Sequence, residues 1–276
     1  MIGATVQPSA PAKRSALGLR LISAAVLGPA VLAAVYLGSP LIELLILLAA
    51  GLLALEWAGL CGADRRRPAM IAVSAGSLAA VAAAALGHYE IGLWLVPASA
   101  LLVGLAVRGV GAAHPLWLAV GVPYVALPCI ALLWLRLAHE GGAFLVIWLM
   151  LVIWATDSGA YFAGRAIGGP KLAPRISPKK TWAGLAGGML AAALVGGLGV
   201  LFRPEHPLWP LVLVGALLAV LSQLGDLFES HVKRRFGVKD SGQLIPGHGG
   251  LLDRVDGLIV GALVMAVLML WRGMSS

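Results

Sequence analysis

Long, nearly uninterrupted runs of apolar residues dominate the chain, and short polar segments separate them. A helix needs about 20 apolar residues to cross a hydrocarbon core roughly 30 Å thick. Nine runs reach or approach that length: 17–37, 40–61, 69–87, 91–110, 115–137, 142–163, 182–202, 208–226 and 257–272. None shows the alternation of a β-barrel strand, and lipid tolerates such runs as helices with internally bonded backbones. The pattern predicts an all-α, polytopic integral membrane protein with about nine transmembrane helices.

The overall composition excludes the soluble and the disordered classes. Of the 276 residues, 60% are hydrophobic and 12% are charged, and the mean hydropathy is +0.95. A soluble protein is nearer half apolar and a quarter charged, whereas a disordered chain has low hydrophobicity. The two cysteines, Cys61 and Cys129, lie in apolar runs, which argues against a disulfide framework.

The basic residues predict an orientation. If the N-terminus is cytoplasmic and the chain crosses nine times, 17 of the 20 Lys and Arg residues lie on one side, and only Arg136, Arg203 and Arg272 lie on the other. Cytoplasmic loops carry such an excess, so we expect a cytoplasmic N-terminus and an outside C-terminus. The net charge of +8 then reflects topology, and no nucleic-acid partner is expected. The first run follows Lys13 and Arg14 but exceeds the 7–15 apolar residues typical of a signal peptide, so it is predicted to be a retained span.

The polar residues divide the chain into two parts. Residues 1–140 are predicted to form about five spans, and residues 141–276 to form the remaining spans with two cytoplasmic loops, 164–181 and 227–256. These loops hold ten of the 20 basic residues, and half of the 12 acidic residues are Asp157 or lie between Asp226 and Asp256. Positive-inside selection does not explain the acids. Charges of both signs at one membrane face predict a site that handles cations and phosphates together.

Two pairs of acids share a spacing that suits a metal ion. Asp226 and Glu229 close the eighth run, and Asp253 and Asp256 precede the ninth. Residues three apart share a helix face, and magnesium uses one or two carboxylates plus substrate phosphates. The alternative is salt bridging to neighbouring cations.

Three other acids lie inside apolar runs. An ionisable group such as Asp157 is expensive in a membrane, so a functional role is the default hypothesis, with a polar contact inside the bundle as the alternative. Nothing near Glu43 or Glu56 indicates chemistry, and structural pairing is favoured for both.

The loop 164–181 is dense in Gly, Pro and cations without being a nucleoside-triphosphatase P-loop. Leu172 and Pro174 follow Lys171, whereas the Walker pattern requires Ser or Thr directly after Lys. Lys179 and Lys180 precede a predicted helix, whose N-terminus favours a phosphate. Nonspecific binding to anionic lipid headgroups is the alternative. In the helix that follows, the small residues from Gly184 to Gly188 favour close packing on a neighbouring helix.

The second loop has flexible backbone around a single histidine. Glycines flank His248 and let the chain close tightly on a ligand. No second His or Cys lies near it, which argues against zinc. No Gly-x-Ser-x-Gly elbow supports acyl transfer.

The C-terminal half resembles a known family. From Ser230 to Asp256 the chain reads Ser-x-Val-Lys-Arg-x4-Lys-Asp-x-Gly-x2-Ile-Pro-x-His-Gly-Gly-Leu-x-Asp-Arg-Val-Asp. This string resembles, without departure, the signature of the CDP-diacylglycerol synthase (phosphatidate cytidylyltransferase) family. The segments 157–165, 177–181 and 222–229 are also similar to this family, whereas residues 1–140 match only in being helical and apolar.

The resemblance implies an enzyme of phospholipid biosynthesis. No organelle-targeting segment is evident in the sequence, so we expect a bacterial inner membrane as its location. Its family has a multi-span helical fold, often dimeric, a cytoplasm-facing site and Mg²⁺ dependence, and it converts CTP and phosphatidate to CDP-diacylglycerol and pyrophosphate. The implied catalytic residues are Asp226, Asp253, Asp256, Lys233, Arg234 and Arg254. The three aspartates would hold magnesium, with Glu229 and Asp157 as further candidates. The implied substrate-binding residues are Lys179, Lys180, Ser230, Lys239, Asp240, His248, Gly249 and Gly250.

Three rival functions have weaker support. A transporter predicts charges along a midplane pathway or inverted repeats, whereas these acids gather at one face and no repeat is visible. A phosphotransferase that consumes CDP-linked alcohols requires an Asp-Gly-x2-Ala-Arg string, which the chain lacks. A pseudoenzyme that only binds anionic lipid would not need every acid of the signature.

Overall fold

Nine α-helices make up most of the computed structural model, which describes residues 13–62, 67–242, 244 and 249–275. The helices are α1 (Lys13–Leu37), α2 (Leu41–Leu60), α3 (Arg67–Ala85), α4 (Tyr89–Gly109), α5 (Pro115–Leu137), α6 (Gly142–Ala166), α7 (Trp182–Leu198), α8 (Leu208–Arg235) and α9 (Leu252–Ser275). A short 3₁₀ turn, Gly199–Leu201, extends α7. Each of the nine predicted apolar runs falls on one of these helices.

Eight of the described helices, α2 to α9, are long and apolar enough to span a membrane. The all-α, multi-pass architecture predicted from the sequence is therefore confirmed. In α1 the described apolar stretch runs from Ala25 to Leu37, which is shorter than the roughly 20 residues a crossing needs. The ninth crossing, and the orientation that depends on it, stay predictions.

Helix α5 is the most buried of the eight spanning helices and lies at the centre of the N-terminal half. The Trp57 ring of α2 packs against it at Gly121, where an added Cβ would lie 2.3 Å from a ring carbon. The Trp57 Nε1 donates a hydrogen bond to the Trp117 carbonyl over 2.7 Å. This contact fixes the end of α2 against the start of α5.

Helices α6 and α7 pack backbone against backbone. A Cβ at Gly187 would lie 2.2 Å from the Cβ of Ala163, and one at Gly159 would lie 2.6 Å from the Cβ of Ala191. Small residues permit such an approach. The close packing predicted from the segment 184–188 is confirmed, and α6 is the neighbour.

The predicted loop 164–181 contains a β-hairpin that the sequence did not predict. Strands β1 (Lys171–Ala173) and β2 (Ser177–Thr181) pair antiparallel. The Thr181 side chain then caps α7 by accepting a hydrogen bond from the backbone N–H of Gly184 over 3.0 Å. The hairpin therefore delivers Lys179 and Lys180 directly to the start of α7.

The ends of α2, α6 and α8 and the starts of α5, α7 and α9 meet at one end of the bundle, which we call the site end. Here the guanidinium of Arg235 lies 5.4 Å from the centre of the Trp117 ring. At the opposite end Arg136 donates to the Tyr36 carbonyl over 3.0 Å. The charged contacts described below all lie at the site end.

Candidate active site

Helix α8 carries one polar face at the site end. Asp226, Glu229, Ser230 and Lys233 follow at spacings of three, four and seven residues from Asp226, so their side chains share that face. Glu229 is only 1% exposed, although an unpaired buried carboxylate is costly. The predicted sharing of a face by Asp226 and Glu229 agrees with the structure.

Three carboxylates converge where the end of α8 meets the beginning of α9. Oxygen atoms of Asp226, Glu229 and Asp256 lie within 4.8 Å of one another. The Glu229 Oε1 atom is buried, and no described residue gives it a hydrogen bond. Like charges at this distance repel, and hard divalent cations take oxygen ligands. The donor set and the unpartnered oxygen fit a cation held by these three residues.

Asp253 has a different environment from Asp256. Its Oδ1 atom accepts a hydrogen bond from Lys233 Nζ over 2.6 Å. Its Oδ2 atom accepts from the backbone N–H and the hydroxyl of Ser241, both over 3.0 Å, and from the Gly250 N–H over 3.1 Å. Asp253 thus fastens the loop that precedes α9, and its role as a metal ligand stays a prediction.

Lys233 joins the two pairs of acids. Its Nζ atom lies 2.7 Å from Glu229 Oε2 and 2.6 Å from Asp253 Oδ1, and the lysine side chain is 12% exposed. Both contacts are charge-assisted hydrogen bonds in a half-buried setting, where such bonds are strong. Lys233 therefore holds the end of α8 to the start of α9.

Lys180 brings the hairpin to the carboxylates. Its Nζ atom lies 2.5 Å from Asp226 Oδ2 and 3.4 Å from the Gln223 carbonyl. Lys179, the preceding residue, is exposed. The structure thus brings Lys180, one of the two predicted substrate-binding lysines, into direct contact with the acidic group.

Two predicted residues lie at the rim of this group. Asp157 and Arg254 are exposed, and Asp157 lies within electrostatic range of Asp226, Lys180 and Arg254. Asp157 is not among the three carboxylates that converge. Its role as a metal ligand stays a prediction.

The remaining predicted residues are more peripheral. Ser230 donates a long hydrogen bond, 3.4 Å, to Asp226 Oδ1, and Arg234 donates to the Val238 carbonyl over 3.4 Å. Lys239 and Asp240 are exposed. Gly249 has a left-handed φ of +86°, which favours glycine. Gly250 donates its backbone N–H to Asp253, as described above, and His248 lies outside the described residues.

The second helix supplies a contact whose position sequence reasoning missed. Glu56 accepts hydrogen bonds from the backbone N–H groups of Leu251 and Leu252, over 2.8 and 2.7 Å, and from the Ser241 hydroxyl over 3.3 Å. A carboxylate at a helix N-terminus satisfies orphan donors and favours the helix dipole. The structural pairing predicted for Glu56 is confirmed, and its partner is the start of α9. The signal in the sequence was an acid near one end of an apolar run.

Glycine is required where this contact closes. A Cβ at Gly250 would lie 2.0 Å from the Ser241 hydroxyl and 2.8 Å from Glu56 Oε2. The glycine-rich composition of the predicted loop thus lets Glu56 and Asp253 reach the backbone on both sides.

A cysteine nucleophile has no support at this end of the bundle. Both cysteines are free and buried in the described structure. A thiol buried in apolar surroundings stays protonated and poorly reactive at neutral pH.

Comparisons with known proteins point to one family. A model of the family described as "Cytidylyltransferase family" matches residues 18–271. The chain is similar to the phosphatidate cytidylyltransferase of Brucella suis biovar 1 (strain 1330), with 51% identity over 150 residues that cover 54% of this chain and 55% of the relative. The Haemophilus influenzae enzyme of the same name is 43% identical over 147 residues, half of each chain. The Rickettsia bellii protein of that name is 37% identical over 188 residues, which cover 63% of this chain and 80% of the relative.

The similarity to individual relatives is partial. The chain spans about half the length of the Brucella and Haemophilus relatives that it matches. The family model, in contrast, extends from the first helix to the last.

Proposed function

Because the chain belongs to the cytidylyltransferase family, we propose that it is a phosphatidate cytidylyltransferase, which transfers CMP from CTP to phosphatidate and releases pyrophosphate. One observation carries the proposal: three carboxylates within 4.8 Å of one another lie beside two lysines at one end of a bundle of membrane-spanning helices. Acids and cations together suit a metal-bound triphosphate. A membrane boundary suits a lipid substrate whose partner is water-soluble.

The charge at this site favours a divalent cation, and we propose Mg²⁺. The three converging carboxylates and Asp253 carry four formal negative charges, whereas Lys180 and Lys233 supply two positive charges in direct contact. Two negative charges are left over. Mg²⁺ uses one or two carboxylates and completes its shell with water and substrate phosphates. Asp226, Glu229 and Asp256 would hold it, and when bound it neutralises charge on the phosphate oxygens.

The reaction needs positioning more than proton transfer. A phosphate oxygen of phosphatidate attacks the α-phosphorus of CTP in line; the new P–O bond forms as the bond to the bridging oxygen breaks, and pyrophosphate leaves. The nucleophile is already anionic, so no strong general base is required, and catalysis comes from orientation and charge stabilisation. Lys179, Lys180, Lys233, Arg234 and Arg254 clamp the triphosphate and the lipid phosphate.

The nucleotide and the lipid reach the site from different media. Phosphatidate leaves the bilayer only at high cost, and CTP does not enter it, so they meet where headgroups and water meet. Ser230, Lys239, Asp240 and His248, with Gly249 and Gly250, shape the nucleotide side. We place the protein in a bacterial inner membrane with its N-terminus cytoplasmic and its C-terminus outside, in agreement with the basic residues of the loops, and as a homodimer like members of the family.

The direct test uses detergent-purified full chain, labelled CTP, phosphatidate micelles and Mg²⁺. We expect cytidine label to become extractable into organic solvent, and we expect the transfer to stop when Mg²⁺ is chelated or phosphatidate is omitted. If no lipid-linked label formed with Mg²⁺ or with any other divalent cation, the proposal would be wrong.

A further inference from the structure

A tyrosine outside the signature strings faces the acidic group. Tyr124 lies in α5, and its hydroxyl is buried without a hydrogen-bond partner among the described residues. Nearly all buried polar side-chain atoms in native proteins have a partner. The orphaned hydroxyl is therefore a feature that needs an explanation.

The charges that act on this hydroxyl are those of the converging carboxylates. Glu229, Asp256 and Asp226 all lie close enough for their charges to act on it. Glu229 Oε1 is itself buried and lacks a described partner. A donor on α5 and an acceptor on α8 are thus both unsatisfied, and a contact between the rings of Tyr124 and Phe228 joins the two helices beside them.

The packing of the ring holds the hydroxyl in that place. The Tyr124 ring centre lies 4.5 Å from that of Trp57 and 5.6 Å from that of Phe228. Phe228 lies between Asp226 and Glu229 in α8, and Trp57 follows the Glu56 that caps α9. The tyrosine is therefore fixed by the same elements that position the carboxylates.

Tyr124 and the acidic group lie at a similar depth below the site end. Tyr124 lies nine residues after the start of α5 at Pro115, and Asp226 lies nine residues before the end of α8 at Arg235. Nine residues of helix rise about 13 Å. Both side chains therefore leave their helices at a similar distance below the site end.

We infer that Tyr124 is a positioning residue of the metal site, whose hydroxyl donates a hydrogen bond to the carboxylate oxygens around the bound cation, Glu229 first. The inference rests on the proposed metal site. A cation relieves the repulsion among the three acids and so lets a carboxylate oxygen turn towards the hydroxyl. Hydrogen bonds from outside the ligand shell orient metal ligands, and their loss commonly weakens metal binding about 10- to 100-fold.

The test compares Tyr124→Phe with Tyr36→Phe by calorimetric titration of the purified proteins with Mg²⁺. Tyr124→Phe keeps the ring and its two aromatic contacts but removes the donor. Tyr36 is exposed at the opposite end of the bundle. We expect Mg²⁺ affinity to fall about tenfold in Tyr124→Phe and to stay unchanged in Tyr36→Phe.

A second measurement separates positioning from a structural role. Without metal, the melting temperature of Tyr124→Phe should equal or exceed that of wild type, because an unsatisfied buried hydroxyl has been removed. The rise in melting temperature caused by Mg²⁺ should shrink. Unchanged Mg²⁺ affinity in Tyr124→Phe, whatever its stability, would overturn the inference alone. Failure of the wild-type protein to bind any divalent cation would overturn the metal site and the inference with it.

Discussion

The two halves of the chain contribute to the site in different ways. Residues 141–276 carry the converging carboxylates and the lysines that contact them, in strings dense with charge. Residues 1–140 contribute Glu56, which bonds to the start of α9, and Tyr124, whose ring packs on Phe228. The C-terminal half supplies the converging carboxylates and their lysines, whereas the N-terminal half holds the start of α9 in place through Glu56. A charge-rich signature therefore locates the ionic residues of the site but omits the distant residues that hold them in place.

The largest loss of stability and turnover is expected at Lys233, which joins the acids of α8 and α9. Lys233→Met removes the only lysine contact that the described structure gives to Glu229 and Asp253. Breaking a buried ion pair from one side costs about 3 kcal/mol or more, because the partners are left uncompensated. We expect that loss in the free energy of unfolding, measured in detergent, and a fall in turnover of more than about a hundredfold.

Arg235→Met is the matched control for this change, since it removes a neighbouring exposed cation that lies over the Trp117 ring. An exposed cation–π contact contributes about 0.5–1 kcal/mol. If the two variants lost equal stability and turnover, Lys233 would not be needed to hold Glu229 and Asp253 in place.

The next effect separates activity from stability within the C-terminal half. Asp256→Asn removes one of the three converging charges, so turnover should fall at least about a hundredfold, roughly 2.7 kcal/mol of barrier. Metal-free stability should hold or rise because repulsion is relieved. The measurements are initial rates at saturating CTP and thermal unfolding.

Glu90→Gln, at an exposed position in the first turn of α4, serves as the control for Asp256→Asn. It should leave both quantities unchanged. A nearly normal rate in Asp256→Asn would refute the metal-holding role of that residue.

The N-terminal half is tested by Glu56→Ala. The change removes the acceptor of two backbone N–H groups at the start of α9. Loss of such a cap costs about 0.5–2 kcal/mol of stability, and the displaced first turn of α9 should lower turnover about tenfold, in the range of other losses of ligand-orienting groups.

The control for Glu56→Ala is Glu43→Ala, at the other end of the same helix, which should not change turnover. If Glu56→Ala lowered the stability but left turnover unchanged, α2 would not help to position the carboxylates.

The smallest effect is expected for a cation of topological origin. Arg108 lies in the last turn of α4 and is exposed. Arg108→Ala should leave turnover and the KM for CTP within about twofold in the same lipid-extraction assay, since an isolated surface charge contributes little. A large rise in the KM for CTP would instead show that α4 contributes to nucleotide binding.

Much of the site could be predicted because its residues are neighbours in sequence. The spacing of Asp226 and Glu229 on one helix, and of Asp253 and Asp256 on the next, follows from helical geometry. The spacing alone does not separate the members of the second pair. Asp256 joins the convergent group, whereas Asp253 turns to Lys233 and the preceding loop. A single turn of helix places the two on different neighbours, and only packing decides which neighbour each meets.

The membrane-spanning helices, and the acids and cations that lie together in two polar segments, could be predicted from the sequence alone, because hydrophobic length and helical period are local properties of the chain. The packing of the helices makes α6 the partner of α7, and a hairpin brings Lys180 to Asp226. The same packing brings Glu56 and Tyr124 into contact with the C-terminal half. These contacts join residues 24 to 196 positions apart. Contacts of that range depend on how whole helices pack, and no local pattern records them.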